Sequence, residues 1–258
     1  MTGFFKEILM LLLIVSVHEL GHILMARRFN WRIRKIMLMP FGGIAEMDEY
    51  GNRPAKEEIL VAVSGPLQHL WMIGLSFLLL GSAFWTEADH QLFLFHNIAI
   101  LLFNLLPVLP LDGGKLLFSL QSYVLPFHKA YQSTFILSFV CLTALSFLSL
   151  FMLPFHLNLI MVTTFLWVHQ YLEWKQRHYH FLRFLLERKH IKRERKDYQV
   201  DVSPALTVAE AVKNVHREKE LTLLINKKQV IHEKVLLDAF FDRYKQTQPL
   251  SRLLQGDW

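Results

Sequence analysis

Cys141 is the only cysteine in 258 residues. A lone cysteine excludes an intramolecular disulfide and any cysteine-rich metal site. It lies in an apolar run and reads as a packed core thiol. Charge is scarce too, with Asp, Glu, Lys and Arg making up only 19% of the chain. The first apolar run lacks a small-residue cleavage site, so it does not read as a removable signal peptide. The C-terminal region lacks a clear phosphate-binding signature, so no nucleotide residue is assigned there.

Hydrophobic residues fill what charge leaves empty. They form 53% of the chain, with 21 phenylalanines, and the mean hydropathy is +0.28. That is too apolar for an ordinary soluble domain. A spanning helix needs about 20 mostly apolar residues. Five such elements are expected, at 5–26, 57–82, 91–125, 131–152 and 156–174. Pro107, Pro110, Gly113 and Gly114 break the third. Arg27, Arg28, Arg32, Arg34 and Lys35 follow the first span, which makes that side cytoplasmic by the positive-inside rule. The loop from Trp85 to Gln91 holds Glu87 and Asp89 without Lys or Arg, as an outer loop does. The N-terminus is then outside and the C-terminus inside. Residues 175–196 carry nine Lys or Arg against two Glu. They read as a juxtamembrane basic segment facing anionic lipid, with no direct nucleic-acid role.

His18, Glu19 and His22 sit within the first span. Ionisable groups at membrane depth are expensive to bury and mark function. On a helix the two histidines share one face, ~6 Å apart at Cβ. Their imidazoles can reach one metal ion with Glu19 beside it as a general base. A catalytic zinc usually has three protein ligands and an open position. Asp112 is the best third ligand, a carboxylate at similar depth whose one nearby cation is Lys115. The glycines and prolines around it permit non-helical backbone, tolerated in a membrane only where it lines a protein cavity. Asn104 is a candidate for binding substrate or stabilising an oxyanion; satisfying backbone freed by Pro107 is its other reading. His69 lies in the second span, where it either lines the cavity or takes a hydrogen-bonded packing role, the latter being its first reading; His96 is similarly placed.

Ile33 to Met47 reads as two extended pieces around Pro40-Phe41-Gly42-Gly43. That is either an ordinary surface turn or a strand edge able to hold a substrate extended by β-addition. After about Lys196 the chain turns soluble. Thr207–Arg217 and Val235–Tyr244 read as helical, Leu221–Ile225 and Val230–Glu233 as strands. A module of about 60 residues is marginal alone, so docking on the bundle or pairing with another copy is expected.

HELGH at His18–His22 and NLLPVLPLDGG at Asn104–Gly114 together resemble the site-2 protease family of intramembrane zinc metalloproteases. PFGGIAEMDEYGNRP, SGPLQH, NLLPVLPLDGGKLLF and RHYHFLRFLLER are similar to the branch that processes sigma-factor precursors in endospore formers. The resemblance implies a polytopic α-helical membrane protein with a site-2 protease core. Residues 1–175 would be the core, 176–196 a basic linker helix, and 197–258 a cytoplasmic α+β regulatory module similar to a CBS domain. It implies zinc on His18, His22 and Asp112, and Glu19 as the catalytic residue. The expected reaction is regulated intramembrane proteolysis of membrane-associated pro-sigma-K during sporulation. The implied setting is the mother-cell membrane around the forespore, with the active site toward the cytoplasm. The implied partners are the inhibitory membrane proteins stage IV sporulation protein FA and bypass-of-forespore protein A, ATP at the C-terminal module, and a second copy of the chain. Relatives carry a further span before the HELGH helix, so either this lineage lacks it or it precedes Met1.

Two other classes compete with the endopeptidase. A membrane metal transporter or sensor also uses intramembrane His and Asp, but leaves Glu19 without a role. An inactive scaffold does not explain an intact set of His18, Glu19, His22 and Asp112.

Overall fold

A computed structural model describes residues 2–31, 33–39, 42–47, 53–151, 157–190, 195–226 and 229–254. Helix α1 runs Thr2–Arg28, and the hairpin β1 (Ile33–Met39) and β2 (Gly42–Met47) follows. Then come α2 (Ala55–Leu79), α3 (Glu87–Asn104), α4 (Asp112–Gln121), α5 (Phe127–Phe151) and α6 (Leu157–His190). α1 packs chiefly on α2, which also touches α3 and α4; α5 lies against α4 and α6.

Among the described residues, three helices are long and apolar enough to cross a membrane: Phe5–Arg28, Ala55–Leu79 and Phe127–Ser149. They agree with the first, second and fourth expected spans. The other two are helical as well but are not among these three, for identifiable reasons. The third element is two helices, because α3 ends at Asn104 and α4 restarts at Asp112. Proline lacks the amide proton and fixes φ, so Pro107 and Pro110 cannot continue the helix. The fifth span is the first half of α6, a 34-residue helix whose second half is polar and basic. The spans face outward as lipid-bathed helices do. On α1, Leu9, Leu12, Leu13, Leu20 and Leu24 are all at least half exposed. The opposite face buries Met10 and Ile14 against Met72 of α2 and Phe93 of α3.

The hairpin forms where the sequence placed it, antiparallel, with Met39 opposite Gly42. Pro40 and Phe41 at its expected turn lie outside the described residues.

The C-terminal part begins with a strand that the sequence reading missed, β3 at Lys196–Val202. It pairs in parallel with β4 (Lys219–Ile225), which pairs antiparallel with β5 (Gln229–His232). Between β3 and β4 lie α7 (Val208–Ala211) and a 3₁₀ turn, shorter than the helix expected there; α8 spans Glu233–Phe241 and α9 Leu250–Leu254. The signal for β3 was present. Tyr198, Val200 and Val202 alternate with polar residues at period two and are the half-buried positions, but they directly follow the basic segment at 175–196, which masked the strand pattern.

This module docks on the helices. The largest hydrophobic cluster joins Phe118 of α4, Phe127 and Ala130 of α5, and Phe184 and Leu185 of α6 to Val208, Val212, Leu221, Leu223, Leu236 and Phe240. Phe127 and Phe184 stack at 3.9 Å with rings nearly parallel. The backbone N–H of Phe127 donates to the Val215 carbonyl at 3.1 Å. Part of the basic segment is used here. Arg188 is not turned to lipid: its guanidinium is buried and paired with Glu233, and it donates to the Arg217 and Lys219 carbonyls at 3.0 and 2.6 Å.

Candidate metal centre

Three elements meet at the site. α1 supplies His18, Glu19 and His22. α4 supplies Asp112 at its first turn, so the break at Asn104–Leu111 sets the depth of that carboxylate. α2 crosses close by because of two glycines. A Cβ on Gly21 would lie 2.5 Å from the Ser64 carbonyl oxygen. A Cβ on Gly65 would strike Nε2 of His22 and crowd Cε1 of His18. Gly65 therefore keeps open the space into which both imidazoles point.

His18, His22 and Asp112 are all buried, and their donor atoms lie within 4.8 Å of one another. Nε2 of His18 is 3.0 Å and Nε2 of His22 2.9 Å from Oδ2 of Asp112. The two Nε2 atoms are 3.1 Å apart. These are nearly the edges of a tetrahedron around a zinc ion. Ligand bonds of about 2.0–2.1 Å at tetrahedral angles give edges of about 3.3 Å. Two imidazoles and one carboxylate also match the donor set of a catalytic zinc that keeps a fourth position open.

Each imidazole is held from behind. Nδ1 of His22 donates to the Val61 carbonyl at 2.7 Å. Nδ1 of His18 meets Nε2 of His69 at 2.9 Å, and Nδ1 of His69 meets Oδ1 of Asn97 at 2.6 Å. His69 and Asn97 have no exposed surface at all. The sequence placed His69 in the second span with packing as its first reading; the structure seats it against His18. No motif around His69 named its partner.

Glu19 is buried, with no hydrogen bond or ion pair among the described residues. Its carboxylate is near enough to His22, Lys115, His18 and Asp112 to feel their charges. Lys115 reaches Oδ1 of Asp112 at 3.4 Å from a partly exposed position. Asn104 does not join this group; its amide donates to the Ile100 carbonyl one turn back on α3 at 3.1 Å. Chemically the arrangement offers a three-donor cradle for a cation and, beside it, a carboxylate that no described residue hydrogen-bonds.

Comparison with known proteins agrees with this geometry. Residues 6–87 match the model of peptidase family M50. The chain is 46% identical over 188 residues to stage IV sporulation protein FB of Bacillus subtilis, covering 73% of this chain and 65% of that protein. It is 35% identical over 127 residues to the zinc metalloprotease MJ0392 of Methanocaldococcus jannaschii, covering 47% of this chain and 36% of the relative. Among solved structures, the site-2 protease from Methanocaldococcus jannaschii matches with a TM-score of 0.50 and 25% identity, over 64% of this chain and 76% of that one. Over residues 6–87 the membrane core of this chain is similar to peptidase family M50. The matches span less than two thirds of the length of these two relatives.

Proposed function

We propose that this chain is an intramembrane zinc-dependent endopeptidase. The observation that carries the reading is the convergence of three donor atoms from α1 and α4 beside Glu19, whose carboxylate no described residue engages. His18, His22 and Asp112 would hold the metal. Bound zinc supplies Lewis-acid polarisation and makes water acidic enough to ionise near neutral pH. Glu19 takes the proton of the attacking water and passes it to the leaving amine. The surrounding helices exclude bulk water, which strengthens every charge interaction in the site. The β1–β2 hairpin offers a strand edge on which an unwound substrate can lie extended.

Similarity to stage IV sporulation protein FB supports a membrane-associated sigma-factor precursor, pro-sigma-K, as substrate. It also supports cleavage toward the cytoplasmic side of the mother-cell membrane, under control of inhibitory membrane partners. Asn104 as a substrate contact follows from its residue type and place, the domain limits near 175 and 196 from the change in composition, and a CBS-like module responding to ATP from the family resemblance.

The test is co-expression of wild type and Glu19→Gln with a tagged precursor. Cleavage by wild type, with none by a variant that still holds zinc, is the expected outcome. Cleavage that survives Glu19→Gln sinks the mechanism. Metal flux in proteoliposomes that is indifferent to Glu19→Gln would transfer the site to a transporter.

A further inference from the structure

We propose that His69 and Asn97 are positioning residues that fix the tautomer and ring plane of His18, so that its Nε2 is presented as a metal ligand. The inference rests on the zinc reading above.

The argument is proton bookkeeping along one buried chain. It runs from Asn97 on α3 through His69 on α2 to His18 on α1, with contacts of 2.6 and 2.9 Å. A neutral imidazole has one donor and one acceptor nitrogen. Only two proton arrangements therefore satisfy the chain. In the first, the Asn97 carbonyl oxygen accepts from Nδ1–H of His69. Nε2 of His69 then accepts from Nδ1–H of His18, and Nε2 of His18 keeps its lone pair for a metal. In the second, every proton is reversed, Nε2 of His18 carries hydrogen, and it cannot ligate. Asn97 is assigned with Oδ1 toward His69 and with Nδ2 unpartnered among the described residues, and with the oxygen on that side only the first arrangement is allowed.

His22 reaches the same polarity by a simpler route. Its Nδ1 lies 2.7 Å from the Val61 carbonyl, and a carbonyl can only accept. Both Nε2 atoms are thus left with lone pairs aimed at the Asp112 side. The two ligands of one helix are set by different devices, a fixed backbone oxygen for His22 and a relayed side-chain oxygen for His18. The relay is the one that a point substitution can remove. It also ties three helices together at one level, since α1, α2 and α3 each contribute one member. The planes of His18 and His69 meet at 62° with centroids 5.1 Å apart, an in-plane approach at hydrogen-bond distance rather than a stack.

Outer partners of metal-bound histidines typically change metal affinity 10–100-fold when removed. The experiment uses the full chain in detergent. Zinc affinity is measured by chelator competition and ligand geometry by the visible spectrum of the cobalt-substituted protein. His69→Ala should bind zinc about 10–100-fold more weakly, with an altered cobalt spectrum. His69→Gln carries an acceptor near the old Nε2 position and should return affinity to within about threefold of wild type. Asn97→Leu should fall between them. Thermal midpoints of the metal-free proteins serve as the fold control. Wild-type affinity in His69→Ala overturns the relay while leaving the zinc site standing. Equal loss in His69→Ala and His69→Gln, tracking a fallen thermal midpoint, overturns it in favour of plain packing. A wild-type protein that takes up no zinc overturns the parent reading and this one together.

Discussion

Two clusters of buried polar groups lie at opposite ends of α4, and they are built on opposite rules. At its start, Asp112 and Glu19 bring two carboxylates into the interior. Among the described residues the one Lys or Arg within ion-pair reach is Lys115, 3.4 Å away and 38% exposed. At its far end the charges balance. Arg217 of the module pairs with Glu58 of α2, each side chain 2% exposed, and Ser119 of α4 donates to the same carboxylate at 3.0 Å. Arg188 pairs with Glu233 alongside, and Glu233 also accepts from the Leu221 N–H at 2.7 Å. Uncompensated buried charge costs several kcal/mol per ion. A balanced network closes on itself and holds parts together. An unbalanced one persists when something positive completes it, and that contrast separates the site from the scaffold.

The sharpest way to break the comparison is Asp112→Asn. A neutral amide is a poor zinc ligand, so metal content should collapse, by more than the 10–100-fold typical of an outer partner. Elemental analysis of purified protein reads this directly. Lys115→Met is the control, and its zinc content should match wild type. If Asp112→Asn keeps its zinc, or if Lys115→Met loses it, the cluster is an interfacial Asp–Lys pair and the contrast fails.

Next in size is the balanced cluster. Arg217→Met removes the guanidinium from Glu58 and from the Arg53 carbonyl, to which it donates at 2.8 Å through Nε. Breaking one side of a buried pair costs about 3–5 kcal/mol, and the Ser119 hydroxyl that remains places this variant near about 3 kcal/mol. The loss should appear as faster proteolytic nicking around β3, with zinc content unchanged. A variant that loses zinc in step with module docking would show that the two clusters are one cooperative unit.

The legibility of the two clusters differs for a physical reason. His18, Glu19, His22 and Asp112 stood out because each is an anomaly in an apolar run, and helical spacing supplied half the geometry. The balanced cluster left no such mark. Glu58, Arg188, Arg217 and Glu233 come from polar stretches, where buried and solvated charges look alike. Their pairing is set by how α2, α6 and the module meet, which no local pattern encodes. Arg188 is the clearest case: a basic run reads as a lipid-facing surface, and only the docked sheet turns that one guanidinium inward. His69 is buried and hydrogen-bonded as its packing reading expected, but its partners were illegible for the same reason. Its partners lie on α1 and α3, so an imidazole on an apolar helix carried no sign of which ring it would meet. The spans were legible where apolar length decided the matter, and so was the break at Pro107 and Pro110; the polar second half of α6 hid how far that helix continues past its apolar part.

The smallest effect concerns His216, a titratable ring of the module that lies near Arg188 of α6. His216 is 1% exposed, packs edge-on against Tyr198 at 4.5 Å, and neither ring nitrogen finds a hydrogen-bond partner among the described residues. Burial first, and then the positive charges of Lys219 and Arg188, lower its pKa to about 4. The unfolded value is about 6.5, so the folded module takes up its proton later than the unfolded chain does. Folding is therefore favoured in full above about pH 6.5, and that contribution drains away as pH falls toward about 4. The full gap corresponds to a little over about 3 kcal/mol by linkage, of which about 2–2.5 kcal/mol is lost between pH 7 and pH 4.5. Thermal unfolding of the full chain in detergent should show a midpoint that falls between pH 7 and pH 4.5, and His216→Phe should flatten that slope while leaving the neutral-pH midpoint near wild type. Equal slopes in both proteins would place the acid sensitivity elsewhere. The ring would then be neutral filler beside the Arg217–Glu58 contact, and the balanced cluster would be insensitive to pH on the module side.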